Sequence, residues 1–151
     1  MSDLYNFSSK EYHSVPFCGV VRKYELLDIH DGDTVTVGLS LTELNLSLKV
    51  RLSGIDTPEI SRSKIPKDRS DVAARLVRDH VKSLLTETMI TCQLLQLDKY
   101  GGRYVGNVYL PNGNNLSEYL IRQGFGKSYN GNKKQPWSDI EIEKIIQQLS
   151  R

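Results

Sequence analysis

Apolar and polar residues alternate along the first third of the chain in the way that β-strands require. The clearest case is the stretch 46–52, where four apolar residues are separated by single polar ones. This period of two predicts a strand with one buried face, and it places Arg51 on the face opposite the apolar residues. The stretches 24–29 and 34–39 also have the composition of strands, and the residues at 31–33 predict a tight turn between them.

Helical spacing dominates the second half of the chain. Between 72 and 85, apolar residues recur every three or four positions opposite a charged face, which predicts an amphipathic helix, and Ser70 is a suitable N-cap for it. A short helix is predicted over 116–123, ending at Gly124. The sequence Ser-Asp-Ile-Glu at 138–141 is a capping box, which predicts the start of a last helix that packs through an apolar stripe.

Further strands are predicted at 89–95 and 104–110, so that strands come first and helices are interleaved with strands afterwards. The alternation in the early strands is typical of antiparallel pairing with one exposed face. The predicted fold class is therefore α+β, mainly β, with a five-stranded barrel of the oligonucleotide-binding (OB) type and about three helices. Residues 1–16 are expected to form a flexible arm before a single domain that spans 17–151.

The composition is that of an ordinary soluble domain. The 151 residues carry a net charge of only +2, so an affinity for nucleic acid has to come from local clustering of lysine and arginine. No apolar run approaches the roughly 18 residues of a membrane helix, and the N-terminal residues lack the apolar segment of a signal peptide. We therefore expect a cytoplasmic protein without a membrane partner, although release by another route stays open. Cys18 and Cys92 match no zinc or redox spacing, which predicts two reduced, buried thiols.

Four carboxylates surround one arginine within a short stretch of the chain. Asp31 and Asp33 precede Arg51, and Asp56 and Glu59 follow it. Oxygen ligands of this kind suit Ca²⁺ or Mg²⁺, and the guanidinium fork matches a phosphate group. A hard cation beside an arginine-bound phosphate is the arrangement that phosphodiester hydrolysis needs. Taken alone, however, a triplet like that of the first cluster is in most cases a hairpin turn, and the second cluster could be the entry to a helix, with Glu59 in its first turn.

Single positions exclude two other motifs. An EF-hand loop that began at Asp31 would require glycine at position 36 and glutamate at position 42, where the chain has threonine at both. A P-loop that ended at 126–128 would require glycine where Ile121 stands. The three histidines show no metal-ligand spacing.

Four motifs, in order, resemble the staphylococcal nuclease (thermonuclease) family. They are Asp-Gly-Asp-Thr-Val at 31–35, Arg-Leu-Ser-Gly-Ile-Asp-Thr-Pro-Glu at 51–59, Asp-Lys-Tyr-Gly-Gly-Arg at 98–103 and Leu-Ile-Arg-Gln-Gly at 120–124. The order and spacing hold from about residue 20 to residue 127. The resemblance implies a five-stranded OB barrel with three helices, and a Ca²⁺-dependent cleavage of DNA and RNA that leaves a 3′-phosphate and a 5′-hydroxyl.

The resemblance also implies roles for the residues of the two acidic clusters. Asp33 and Asp56 correspond to the carboxylates that bind Ca²⁺, and the backbone carbonyl of Thr57 corresponds to a further oxygen ligand. Glu59 corresponds to the glutamate that positions or deprotonates the attacking water. Arg51 corresponds to the arginine that holds the scissile phosphate near the metal.

Residues farther along the chain are assigned in the same way. Lys99 and Tyr100 correspond to residues that contact the terminal phosphate of a nucleotide, and Tyr129 lies near the base-stacking position. In the family, the second catalytic arginine follows the tyrosine–glycine pair directly, whereas here Gly102 stands in that position and Arg103 comes one residue later. Glycine tolerates a positive φ, so we expect a β-bulge to absorb the insertion and to keep Arg103 catalytic.

Two other interpretations of these residues stay open. One is a non-catalytic module that binds nucleic acid or protein, and the other is a structural calcium-binding domain without hydrolysis. The presence of Asp33, Arg51, Asp56 and Glu59 together favours the enzyme. The expected partners are DNA and RNA, with single strands or frayed duplex favoured, and the expected state is a monomer.

Overall fold

The computed structural model describes residues 18–98 and 102–151. The arm predicted at 1–16 lies outside the described residues. Within them, the strands and helices follow one another in this order: β1 (Val21–Asp31), β2 (Thr34–Ser40), β3 (Asn45–Leu52), β4 (Ile55–Asp56), α1 (Arg69–Leu84), β5 (Met89–Leu97), β6 (Tyr104–Tyr109), α2 (Leu116–Gln123), β7 (Lys127–Ser128) and α3 (Asp139–Leu149).

Five of these strands close into a barrel in the order β1-β2-β3-β6-β5, and the pairing of β1 with β5 completes it. This confirms the predicted five-stranded barrel with three helices. The neighbouring strands are antiparallel except at one seam, where β3 and β6 run parallel and Arg51 is paired with Val105. Parallel pairing needs a long crossover, and the chain between β3 and β6, which includes α1 and β5, provides it.

One apolar core is shared by the barrel and the helices. The alternation predicted in β3 is confirmed, since Leu48, Val50 and Leu52 are buried, but Arg51 is buried as well, with 8% of its surface exposed. The predicted docking of the last helix is also confirmed, because α3 packs against α1. The buried face of α3 consists of Ile142, Ile145 and Ile146.

The helix ends were predicted with mixed success. α2 has the predicted bounds and Gly124 as its C-cap, and the capping box of α3 is present. The predicted N-cap of α1 was wrong: the helix begins at Arg69, and the N-cap is Asp68, whose Oδ1 accepts a hydrogen bond from the Asp71 N–H at 2.9 Å. Both aspartate and serine are good N-caps, and Ser70 falls inside the first turn.

Neither cysteine in the described residues forms a disulfide. Cys92 is fully buried in the core. Cys18 is only half-buried, contrary to the prediction, and its thiol donates to the carbonyl of Leu95 at 2.7 Å. No helix in the described ranges is long and apolar enough to cross a membrane.

Candidate active site

The β1–β2 hairpin positions two carboxylates at its turn. Asp31 Oδ1 accepts a hydrogen bond from the Asp33 backbone N–H at 3.2 Å, so Asp31 shapes the turn. The Asp33 carboxylate is buried and accepts hydrogen bonds from the Thr34 hydroxyl at 3.1 Å and from the Thr57 N–H at 3.3 Å. Asp33 is therefore oriented by groups from both acidic clusters.

The glycine of this turn allows the hairpin to approach the second cluster closely. A Cβ at Gly32 would lie 2.9 Å from Thr57 Oγ1 and 2.7 Å from Val77 Cγ1 of α1. We expect Gly32→Ala to lower the free energy of unfolding by about 1–3 kcal/mol through overpacking, as measured by thermal or urea unfolding. Gly38→Ala in the same hairpin is the matched control, because its Cβ would first meet the exposed side chain of Leu27, at 3.2 Å. Equal losses in the two variants would contradict this prediction.

The second acidic cluster is held by the short antiparallel pairing of β4 with β7, in which Asp56 is opposite Lys127. Asp56 and Thr57 are buried, with 5% and 1% of their surface exposed. The Glu59 side chain, in contrast, is 75% exposed. The cluster therefore offers one fixed, buried carboxylate and one carboxylate that water can reach.

Arg51 lies between the two clusters, on β3 opposite Thr34 of β2. Its Nη2 is 3.7 Å from Asp33 Oδ2, and its Cζ is 5.0 Å from the centre of the Tyr129 ring. Nη2 is nevertheless buried without a hydrogen-bond partner. Because buried donors are normally paired, this guanidinium has capacity for a further acceptor.

The site has buried polar atoms without hydrogen-bond partners and two neighbouring carboxyl groups, Asp31 and Asp33, that interact electrostatically. Besides Arg51 Nη2, the unpaired buried atoms in the described residues include Asp56 Oδ1 and Thr57 Oγ1. Burial, and then the neighbouring charge of Asp33, raise the pKa of Asp31 to about 8. No group of three His, Cys, Asp or Glu side chains converges as a preformed metal cage anywhere in the described ranges. Two buried carboxylates, Asp33 and Asp56, nevertheless offer oxygen ligands of the kind that a hard cation takes.

A lysine that no sequence motif indicated contacts this cluster. Lys134 Nζ donates a hydrogen bond to Glu59 Oε1 at 3.0 Å. It also lies 3.2 Å from Asp56 Oδ1, which is an ion-pair distance although the approach does not have hydrogen-bond geometry. Partial burial acts to lower the pKa of Lys134, but Glu59 and Asp56 outweigh burial and raise this pKa above its ordinary value. Sequence reasoning missed Lys134 because it lies in a polar segment, 75 positions after Glu59.

A second residue that the sequence did not single out fixes the loop after Glu59. The buried Asp71 carboxylate accepts hydrogen bonds from the Ser61 hydroxyl and N–H, from the Lys67 N–H at 2.8 Å and from Arg75 Nε at 3.1 Å. Burial acts to raise the pKa of Asp71, but these hydrogen bonds outweigh it and hold this pKa well below its usual range. Asp71 thus ties the loop between β4 and α1 to the first turn of that helix.

Gly102 has the positive φ expected for the inserted glycine, 74°, but it lies in the connection before β6. The irregular register of the described β5–β6 ladder lies between Leu94 and Gln96. Residues 99–101 lie outside the described residues, so the bulge at the insertion stays a prediction. The described ends of the connection are joined by a hydrogen bond from the Asp98 N–H to the Arg103 carbonyl at 2.9 Å. The Arg103 side chain donates from Nε to Asp98 Oδ2 at 2.5 Å.

Two cavities meet at Arg103. One, of about 760 Å³, is lined by Arg51 and Arg103 together with Tyr129 and Lys134. The other, of about 580 Å³, has Glu59 and Arg103 in its lining. Cavities of this size hold small organic ligands, and paired arginines favour an anionic one.

The structure brings most of the predicted site residues together. Lys99 and Tyr100 lie outside the described residues. The predicted residues that lie around the hairpin turn, the end of β3, the β4 segment and the two cavities are Asp33, Arg51, Asp56, Thr57, Glu59, Arg103 and Tyr129.

Comparisons with known proteins place this chain in a family. The sequence profile described as "Staphylococcal nuclease homologue" matches residues 49–148. Two relatives from Escherichia coli, one of them from O157:H7, are named uncharacterized endonuclease, and both are 32% identical over 94 residues, which cover 62% of this chain and 52% of each relative. An uncharacterized protein of Methanocaldococcus jannaschii is 29% identical over 129 residues, covering 72% of this chain and 59% of that protein.

The chain spans only about half the length of the E. coli relatives it matches. The family profile, in contrast, covers more than half of the chain and includes Arg51, the second acidic cluster and Arg103. On this evidence, the chain belongs to the staphylococcal nuclease homologue family.

Proposed function

We propose that this chain is a Ca²⁺-dependent nuclease that hydrolyses the phosphodiester bonds of DNA and RNA. The observation that carries the proposal is the placement of two buried carboxylates, Asp33 and Asp56, near Arg51, whose Nη2 is buried without a hydrogen-bond partner. Such a set suits a phosphate held against a hard cation. Membership of the family and the name endonuclease that the E. coli relatives carry support a nuclease-like function.

Asp33 and Asp56 would hold the ion, with the backbone carbonyl of Thr57 as a further oxygen ligand. When bound, Ca²⁺ supplies positive charge that polarises the phosphate and lowers the pKa of water. The proposed ligands include neither histidine nor cysteine, which zinc prefers. These ligands therefore favour a hard cation over zinc, and the family resemblance makes Ca²⁺ the proposed ion.

The remaining residues carry the proton and charge chemistry of the reaction. Glu59, whose carboxylate is exposed to water, accepts a proton from the attacking water. The water oxygen bonds to phosphorus, the P–O5′ bond breaks, and the 5′ oxygen leaves with a proton from solvent. The products are then a 3′-phosphate and a 5′-hydroxyl. Arg51 and Arg103 donate hydrogen bonds to the phosphate oxygens on which negative charge grows.

Tyr129 would stack on a base, while Lys99 and Tyr100 would contact the terminal phosphate. Stacking on an aromatic ring requires an unpaired base, so single strands and frayed duplex are the favoured substrates. The monomeric state and the cytoplasmic location stay predictions.

The requirement for metal provides the first test. We expect the chain to degrade both DNA and RNA with Ca²⁺, and to lose all detectable activity in chelator or with Zn²⁺ alone. Enzymatic labelling of the new 5′-hydroxyl ends checks the products. Asp56→Asn should remove most of the activity, whereas Asp79→Asn, an exposed charge change on α1, should not.

The same assay separates the alternatives. A binding module retains oligonucleotides but leaves them intact, and a structural calcium-binding domain binds Ca²⁺ without degrading them. Full activity in chelator would overturn the metal assignment.

A further inference from the structure

The segment Tyr129–Lys134 reaches across the candidate site. Its start is fixed by a hydrogen bond from the Tyr129 N–H to the Gly54 carbonyl at 3.0 Å. Its turn is closed by the Asn132 N–H, which donates to Asn130 Oδ1 at 3.1 Å. The segment then delivers Lys134 to the acidic cluster, where Nζ is 5.8 Å from the centre of the Tyr129 ring.

The ammonium of Lys134 contacts two carboxylates that differ in burial. Glu59 is exposed and therefore gains little from an ion pair. Asp56 is buried, and a buried carboxylate requires a cationic or hydrogen-bonding partner. In the described part of the chain, the only ion pair that Asp56 makes is the one with Lys134, at 3.2 Å. Lys134 therefore supplies the positive charge that compensates Asp56 in this structure.

The lysine contacts a carboxylate that is also a proposed metal ligand. Asp56 Oδ1 is the oxygen next to Nζ, and Asp56 is also a proposed metal ligand. A lysine ammonium is a compact, flexible point charge, and like charges on one buried oxygen repel strongly. An ammonium and a divalent ion in contact with this same oxygen would repel each other strongly.

We infer that Lys134 is a displaceable cation: it occupies the Asp56–Glu59 pair when no metal is bound and must leave when the metal binds, so that it sets the metal affinity of the site. This inference rests on the proposed function, since it takes Asp56 as a metal ligand. The side chain of Lys134 is 42% exposed, so it has space to move. Because Lys134 also lines the larger cavity, a displaced ammonium stays beside the arginines that would meet a phosphate.

The test compares Lys134→Met with Lys133→Met. Methionine keeps the length and apolar bulk of lysine but removes its charge, and Lys133 is an adjacent exposed lysine that gives the same change in net charge. Calcium affinity is measured by titration calorimetry on the full chain without substrate. We expect Lys134→Met to bind Ca²⁺ about tenfold more tightly than wild type. This change in affinity is larger than that expected for an exposed ion pair and smaller than that for a fully buried one, because only Asp56 of the pair is buried. Lys133→Met should be close to wild type.

Thermal unfolding provides a second readout that does not depend on activity. In chelator, Lys134→Met should unfold at a lower temperature than wild type because Asp56 loses its partner, and Ca²⁺ should raise its melting temperature by more than it raises that of wild type. The inference is overturned if Lys134→Met binds Ca²⁺ no more tightly than wild type. The proposed function still stands in that case, provided that wild type requires Ca²⁺ for hydrolysis. If wild type hydrolyses DNA in chelator and binds no Ca²⁺, both ideas fail together.

Discussion

Replacing Glu59 with glutamine should lower turnover by about 10²–10⁴-fold while Ca²⁺ and oligonucleotide affinities remain close to those of wild type. Glutamine keeps the shape of the side chain but cannot accept the proton of the attacking water. The Glu59 side chain is largely exposed, so the substitution should not change the free energy of unfolding. Single-turnover rates, calorimetry and thermal unfolding measure the three quantities.

Glu43→Gln is the matched control for this experiment, because Glu43 is exposed in the β2–β3 turn. Its rate should equal that of wild type. A general base usually contributes about 10²–10⁴-fold to the rate. If Glu59→Gln keeps more than about a tenth of wild-type turnover, the loss is smaller than this contribution, and Glu59 is a structural residue. Lys134 would then hold a carboxylate that has no part in the chemistry.

Loss of the Arg103 side chain should cost about 10²–10³-fold in rate with little change in stability. Arg103 lines the same cavity as Arg51, which is the placement that a joint role on one phosphate requires. Its Nε pairs with Asp98 Oδ2 at 2.5 Å, and this pair orients the guanidinium. Arg103→Ala therefore removes one of two donors to the developing charge.

The competing explanation is that Arg103 only forms an ion pair with Asp98 and contributes little. Asp98→Asn separates the two, because it weakens the pair but keeps the guanidinium. A catalytic Arg103 predicts a much larger rate loss in Arg103→Ala than in Asp98→Asn. Deletion of Gly102, which restores the spacing usual in the family, should be tolerated. A near-wild-type rate in Arg103→Ala would refute the catalytic role of Arg103 and leave Arg51 as the proposed arginine for the scissile phosphate.

Local patterns predicted the elements better than the contacts between them. The period of two in β3, the bounds of α2 and the capping box of α3 are properties of adjacent residues, and all were confirmed. The N-cap of α1 was misplaced because Asp68 and Ser70 are equally suitable locally. The parallel β3–β6 seam was not predicted, because the alternation in β3 indicated antiparallel pairing. β3 makes that pairing with β2 on one edge, and its sequence did not indicate the parallel neighbour on its other edge.

In the candidate site, too, the sequence predicted local motifs but not the contacts between distant residues. The sequence located Asp33, Arg51 and Asp56, because each lies in a short motif. It did not show that Arg51 is buried, since the burial comes from Tyr129 and the strands on either side. It did not reveal Lys134 either, because an isolated lysine in a polar segment is ordinarily a solvated surface charge.

The β3–β6 seam makes the candidate site a late product of folding. It joins residues 50–52 to residues 104–106, and contacts between such distant stretches form slowly, because a long loop has to close first. A nascent chain that ends before β6 has Arg51 but cannot place a second arginine beside it. Arg51 and Arg103 therefore come together only when the two ends of this long segment have met.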